Sequence, residues 1–305
     1  VATTGDAFNL FVFLEISSLS SYVLIALGRD RRALTASFQY LIMGTIGATF
    51  IVIGIGLLYA STGTLNMADL SNRIVFHEAD RTLGAAIGFL IVGISLKLAL
   101  FPLHQWLPNA YAYAPSVVSA FLAATATKVA VYVLLRFLFT VFNAEFAFGV
   151  IPLGSILMVL AIIAMFAAST VAVFQDNIKR MLAYSSLAQI GYMILGISLV
   201  TVTGLTAGIL HLFNHALIKG GMFLALGCVM HRVGSVRIDD LAGIARNMPW
   251  TMAAFVAGGL GLIGVPLTAG FVSKWYLVLA ALEVDLWPIA ALVVLSSLIA
   301  VIYIW

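Results

Sequence analysis

The 305 residues are 63% hydrophobic and 9% charged, with a formal net charge of +3 and a mean hydropathy of +1.14. Soluble domains lie nearer half apolar and a quarter charged, so lipid is the expected solvent and the fold class an all-α polytopic membrane protein. The one cysteine, Cys228, excludes an internal disulfide framework or cysteine-held cluster, and no basic run interleaved with aromatics points to nucleic acid.

A spanning helix takes about 20 mostly apolar residues. Stretches that qualify run over 7–28, 35–61, 83–105, 115–141, 148–174, 181–202, 204–231, 251–284 and 287–305. Two are interrupted: the third by Pro102 and Pro108, the eighth by Gly261, Gly264, Pro266 and Gly270. The opening "VATTGDAFNL" has neither an initiator Met nor the charged start of a signal peptide. The chain stops inside the apolar run "VVLSSLIAVIYIW". Both ends read as cut, and the expectation is a piece from inside a longer protein.

The connections fall alternately on two sides. One side holds 28–33, 101–114, 175–180 and 231–249, with Arg29, Arg31, Arg32, Lys179, Arg180, Arg232, Arg237 and Arg246 against Asp30, Asp176, Asp239 and Asp240. The other holds Arg73 and Arg81 against Asp69, Glu78, Asp80, Glu145, Glu283 and Asp285. The Lys/Arg excess places the first set in the cytoplasm.

Inside the apolar segments remain Glu15, Lys97, Lys128, His211, His215, Lys219 and Lys274. A charge at the bilayer centre costs about 2.5–3.5 kcal/mol on insertion scales, so four lysines facing lipid would cost on the order of 10 kcal/mol. They are expected to face one another, a carboxylate or trapped water. Arg136, near the end of its helix, is expected to snorkel. Burial disfavours an ammonium and a nearby carboxylate favours it. A lysine that can approach or leave Glu15 therefore switches between holding and releasing a proton. His211, His215 and Lys219 recur every fourth residue and share one helix face, a ladder of titratable groups. The same spacing also suits a polar seam that glues helices. His211 and His215 have the separation of a helical zinc pair, but no third ligand accompanies them, so no metal is expected. No nucleotide, flavin, haem or iron–sulfur motif occurs, so no cofactor is expected and any redox or hydrolytic site lies elsewhere.

Irregular backbone is tolerated in lipid only where it lines protein or a wet cavity. Lys97 precedes its prolines; Lys274 follows its glycines and Pro266. That mirrored order is what an inverted-topology repeat produces, and such paired interruptions point to an ion path.

The strings "GDAFNLFVFLEISSLSSYVLIAL", "LKLALFPLHQWLPNAYAYAP", "LAYSSLAQIGYMILG", "HLFNHALIKGGMF" and "GVPLTAGFVSKWYL" resemble the antiporter-like membrane subunits. That family includes the proton-pumping subunits of respiratory complex I, large subunits of multisubunit cation/proton antiporters and membrane-arm subunits of related hydrogenases. The resemblance implies a fourteen-helix inverted-repeat fold of which this chain is the fifth to thirteenth helices. Residues 1–142 would be most of the first repeat and 143–305 the second. It also implies proton-translocation roles for Glu15, Lys97, Lys128, His215 and Lys274, with His211, Lys219 and His104 as additional relay candidates. The partners it implies are other membrane subunits of one complex, the lipid bilayer, protons and, in the antiporter branch, Na+ or K+; the location is a prokaryotic inner membrane. Lysine at 274 looks most like the D-type antiporter protein or a close hydrogenase or complex I relative. Three readings follow: a proton channel powered by redox partners, a gradient-driven cation/proton antiporter component, and a structural component whose polar axis only holds a complex together. Quinone reduction by the chain itself has no local support.

Overall fold

The computed structural model describes residues 1–74, 80–149 and 151–304 and contains thirteen α-helices, with no strand among those residues. Glu78, one of the acidic loop residues considered above, lies outside the described residues, as does Trp305. Helix α1 spans Ala7–Ala26 and α2 Arg32–Thr62; the short α3 (Met67–Ile74) lies between α2 and α4 (Arg81–Leu98). Then come α5 (Trp106–Tyr113), α6 (Ser116–Leu135, continued as a π-helical turn over Arg136–Val141), α7 (Ala144–Gly149) and α8 (Leu153–Val173). The remainder are α9 (Ile178–Ser198), α10 (Val202–Val233), α11 (Pro249–Ile263), α12 (Ala269–Glu283) and α13 (Trp287–Ile304).

Eight of these helices are long and apolar enough to cross a membrane, and the chain is an integral membrane protein. The eighth expected crossing, 251–284, is divided between α11 and α12, 15 residues each. At 1.5 Å per residue each half covers about 22 Å, less than the roughly 30 Å hydrocarbon core, so the two together make the passage.

The stretch 101–114 is mostly not a connection, contrary to the expectation from the loop count. Pro102 and its neighbours form the break, and α5 follows as a short helix packed against α2 and α9. Pro108 is tolerated because it falls in the first turn of α5, where the N–H groups lack intrahelical partners. Trp106 fixes the resumption: its ring stacks on Tyr40 with centroids 4.0 Å apart, and its Nε1 donates to Leu96 O at 3.0 Å, satisfying a carbonyl at the end of α4.

Contacts between connections gather them at two ends. Arg32 Nη1 donates to the Tyr113 hydroxyl, Ile178 N to Val236 O, and Ile238 N to Asp176 O. At the opposite end Ala7 N donates to Leu65 O and Arg136 Nη1 to Thr4 O at 2.6 Å. Arg136 thus binds main-chain carbonyls of the N-terminal segment instead of only reaching for the interface.

Helix α9 occupies the centre: from Met181 to Leu199 every residue except Tyr184 is buried. Its polar side chains therefore face protein on all sides. Helix α10 packs against α6, α9, α11 and α12, and α5 packs against α2 and α9. This brings the interrupted segments and the histidine-bearing helix to a common interior.

Candidate functional site

The interior contains a row of titratable side chains. It begins where α4 ends. Lys97, penultimate in that helix, donates from Nζ to Glu15 Oε1 at 2.5 Å and to Ser18 Oγ at 2.9 Å. Its side chain is 5% exposed and that of Glu15 22%, so the ammonium is desolvated while the carboxylate keeps some access. A cleft of about 540 Å³ between α1 and α6 reaches Lys97 past Ser17, Ser18, Ser21 and Thr125. The ammonium has hydroxyls beside it and room to leave its partner.

Lys128 lies on α6, buried, and donates to the Ala123 carbonyl of its own helix. The antiparallel register of α6 and α10 is set by small residues: a Cβ on Gly220 would lie 3.3 Å from Ala124 Cβ, and one on Gly227 3.2 Å from Ser116 Cβ. Continuing that register places Lys128 level with His215. Both ring nitrogens of His215 are buried without a hydrogen-bond partner in the protein.

His211, His215 and Lys219 share the inner face of α10, and the two imidazoles are parallel within 2°, centroids 6.3 Å apart. Lys219 is fully buried and donates to Leu182 O and Ser185 Oγ, each at 2.9 Å. His211 is held at both nitrogens: Nε2 lies 2.9 Å from Gln189 Oε1 and Nδ1 2.9 Å from Ser273 Oγ. A carbonyl oxygen can only accept, so Nε2 carries a proton toward Gln189, while the Ser273 hydroxyl beside Nδ1 donates to Gly270 O.

Lys274, in the second turn of α12, closes the row. Its Nζ donates to Leu262 O at 2.9 Å, Ile263 O at 3.1 Å and Ser297 Oγ at 3.1 Å. Leu262 and Ile263 end α11, so their carbonyls are ones that an unbroken helix would have used internally. The ammonium also sits 4.5 Å above the centre of the Tyr192 ring. The break is tight: a Cβ on Gly270 would lie 1.8 Å from Gly261 O, and Gly264 adopts a left-handed φ of +85°.

Of the residues singled out in the sequence, Glu15 meets Lys97, Lys128 lies level with His215, and His211, Lys219 and Lys274 line the same interior. His104 stands apart in the first break, stacked on Phe101 with centroids 5.1 Å away. Lys179, counted above as a connection charge, is a correction. It is 4% exposed and donates to Ala114 O at 3.3 Å, because it sits in the first turn of α9 beneath the α5–α6 junction. Adjacency to Arg180 in a polar string hid this. Gln189, Tyr192, Ser273 and Ser297, which hold the charged members, carried no sequence signal beyond being polar in apolar surroundings.

Residues 4–300 match the family described as NADH:quinone oxidoreductase/Mrp antiporter, TM. The chain is 48% identical over 303 residues to NADH-quinone oxidoreductase subunit N of Desulforudis audaxviator, covering 99% of this chain and 60% of that protein. It is 32% identical over 296 residues to the D-type protein of the Na(+)/H(+) antiporter of Alkalihalophilus pseudofirmus, covering 97% and 59%. Among solved structures, a chain of the membrane-bound sulfane sulfur reductase, an archaeal respiratory membrane complex, superposes with a TM-score of 0.90 at 36% identity, covering 98% of this chain and 61% of that one. The chain therefore spans about 60% of the length of the relatives it matches. With both broken segments and the buried lysines falling inside the matched span, the chain belongs to the NADH:quinone oxidoreductase/Mrp antiporter transmembrane family.

Proposed function

We propose that this chain is the central part of a proton-translocating subunit in a multisubunit membrane complex. The observation that carries the reading is the row itself: Lys97, Lys128, His215 and Lys274, buried by four different helices, with half-buried Glu15 joining Lys97 from a fifth. Lysines buried for packing alone would be an expensive way to fill space. Glu15 and Lys97 act as the switchable pair, Lys128 and His215 relay, and Lys274 passes the proton to the far side. His211 and Lys219 extend the relay, and His104 stands at its margin. The chain supplies the path and partner subunits supply the driving energy.

Relatives of two kinds match almost the whole chain, one from a quinone oxidoreductase and one from a cation/proton antiporter. Redox-driven pumping is the first reading, favoured by the higher identity to the former; exchange of protons against Na+ or K+ is the second. The arginine-rich end is assigned to the cytoplasm, and the membrane to the inner membrane of a prokaryote. Residues 1–142 and 143–305 are assigned to two inverted repeats, supported by the opposite placement of Lys97 and Lys274 about their breaks.

Proton uptake by proteoliposomes holding the full-length protein in its complex tests the path. Lys97→Met abolishes uptake and leaves assembly intact; uptake at the wild-type rate overturns the assignment. The structural reading instead expects neutral polar replacements of Lys97 and Lys274 to transport normally. A visible spectrum of the purified complex separates the two drives. Iron–sulfur or flavin absorbance marks redox coupling, and a colourless assembly marks gradient-driven exchange.

A further inference from the structure

The Ser273 hydroxyl has one proton and two acceptors within reach. Its Oγ lies 3.1 Å from Gly270 O, three residues back on α12, and 2.9 Å from His211 Nδ1 on α10. Bonds of the first kind recur on these helices, as from Ser18 to Leu14 and from Ser186 to Leu182, and by themselves only return a hydroxyl to its own backbone. The imidazole beside Ser273 makes the difference. Both side chains are buried, Ser273 at 1% exposed and His211 at 5%, so neither reaches bulk water for a substitute partner.

The two positions of that proton belong to two states of His211. Nε2 carries a proton toward Gln189 Oε1 in both. With the hydroxyl on Gly270 O, Oγ is left to accept, and an N–H at Nδ1 satisfies the contact, which makes the ring an imidazolium. With the hydroxyl on Nδ1, the ring is neutral and Gly270 O keeps only its main-chain donor, which in an α-helix is the Lys274 amide. Ser273 gains and loses no proton; it turns. A proton arriving on His211 therefore changes a bond at Gly270, the residue whose missing side chain lets α12 cross α11 at Gly261 O.

The titratable groups around His211 are Tyr192 of α9, with ring centroids 5.5 Å apart, His215 of its own helix at 6.3 Å, and Lys274 of α12, whose ammonium stands over the same Tyr192 ring. Lys128 of α6 lies level with His215, about a turn away, and α11 carries no titratable side chain.

We propose that Ser273 is a positioning residue that couples the protonation state of His211 to the α11–α12 break and, through it, to Lys274. The link between Ser273 and His211 stands on geometry; its consequence for transport rests on the proton-translocation reading.

The test uses the full-length protein in its complex. Hydrogen–deuterium exchange at histidine C2, read by mass spectrometry for each residue, follows how each imidazole titrates. Ser273→Ala is expected to move the His211 profile by about half a pH unit or more, because the hydroxyl bonds a charged ring and a neutral ring with unequal strength. His231, in the last turn of α10, is expected to keep its profile. Ser273→Thr retains the hydroxyl and is expected to behave as wild type. If Ser273→Ala does not assemble, Ser273→Cys, close in size and only a weak donor, carries the same expectation. A His211 profile that stays in place without the hydroxyl, or moves as far in Ser273→Thr, overturns the link. Proton flux is then measured beside Lys97→Met. Ser273→Ala is expected to lower flux about tenfold, the rate equivalent of one lost hydrogen bond, and to lower it no further in a His211→Phe background. Losses that multiply in the double variant, or a wild-type rate in Ser273→Ala while Lys97→Met is blocked, overturn the coupling and leave the row standing. If Lys97→Met conducts normally, the proton-translocation reading falls, and the exchange profile alone decides the link.

Discussion

Lys97 and Lys274 occupy opposite sides of their helix breaks and are held by different chemistry. Lys97 is the penultimate residue before its break and is paired with a carboxylate 82 residues away in sequence. Lys274 follows its break and is held by main-chain carbonyls that the break sets free. Leaving Glu15 separates opposite charges, whereas leaving Leu262 and Ile263 strips carbonyls of their donor. The first step is governed by charge and the second by local backbone, so replacements at the two sites separate these contributions.

Lys97→Arg tests whether the pair needs a proton that can be released or merely a positive charge. A guanidinium keeps the charge and matches a carboxylate, but it does not deprotonate in proteins. We predict flux at least about 100-fold below wild type, the lower end of what a positioned acid–base group contributes, with the complex intact on native gels. Near-normal flux in this variant would show that the charge alone suffices.

Gly270→Ala addresses the second break. The added methyl would sit 1.8 Å from Gly261 O, so α11 and α12 must separate. We predict a loss of about 3 kcal/mol, the upper end for overpacking, seen as a fall in the thermal midpoint of the detergent-solubilised complex. Gly221→Ala is the control, since nothing lies within 4 Å of the Cβ it would add. Equal midpoints in the two variants would mean that the break is not held by this crossing.

These two sites also show what the sequence discloses. The lysines, the glutamate and the interruptions are visible because each defies the apolar composition around it, and the fourth-residue spacing of His211, His215 and Lys219 places them on one face. The partners are less visible. Ser273, Gln189 and Ser297 are neutral, at home in many membrane helices, and matter through which atom they face in the folded state. Lys179 misleads for the converse reason: beside Arg180 it reads as solvated, and only the seating of α5 against α9 buries it. The length of α5 was hidden because prolines normally end helices, whereas Pro108 falls where a helix can start.

Lys179→Met should act on stability more than on transport. It removes the Lys179 donor from Ala114 O, and the Ser119 hydroxyl, 3.3 Å from that carbonyl, is nearer Tyr111 O at 2.7 Å. We predict a loss of about 1–3 kcal/mol, the range for a buried acceptor deprived of a partner, with flux per assembled complex unchanged. Calibrating flux against the amount of intact complex checks both halves. A fall in flux without a fall in midpoint would move Lys179 into the transfer row.

At the end opposite the arginine-rich connections, Asp69 and Arg73 form an ion pair at 2.9 Å one helical turn apart. The Arg73 hydrogen bond, helped by Thr64, holds the Asp69 carboxyl below its usual range. A carboxyl depressed in the folded state contributes stability above its unfolded value, about 3.9, and loses it as pH falls through the folded value. Both side chains are exposed, so the effect is small. We predict that the midpoint difference between wild type and Asp69→Asn is constant from about pH 8 to 5 and shrinks once the pH falls below the unfolded carboxyl value of about 3.9. A difference that grows on acidification would contradict the pairing.

The level placement of Lys128 and His215 on adjoining helices yields the most discriminating test. If protons pass through both in series, removing either interrupts the same path, and removing both can do little more. Residues that act as a unit are grossly non-additive in kinetics, whereas independent packing contributions add. Lys128→Met and His215→Phe each keep an apolar side chain of adequate size in a buried position. We predict that each alone lowers flux by at least about 100-fold and that the double variant is no slower than the slower single one. Thermal midpoints, measured on the same preparations, should fall additively or not at all. Flux losses that multiply in the double variant would mean two separate routes, and the row would have to be divided between Lys128 and α10.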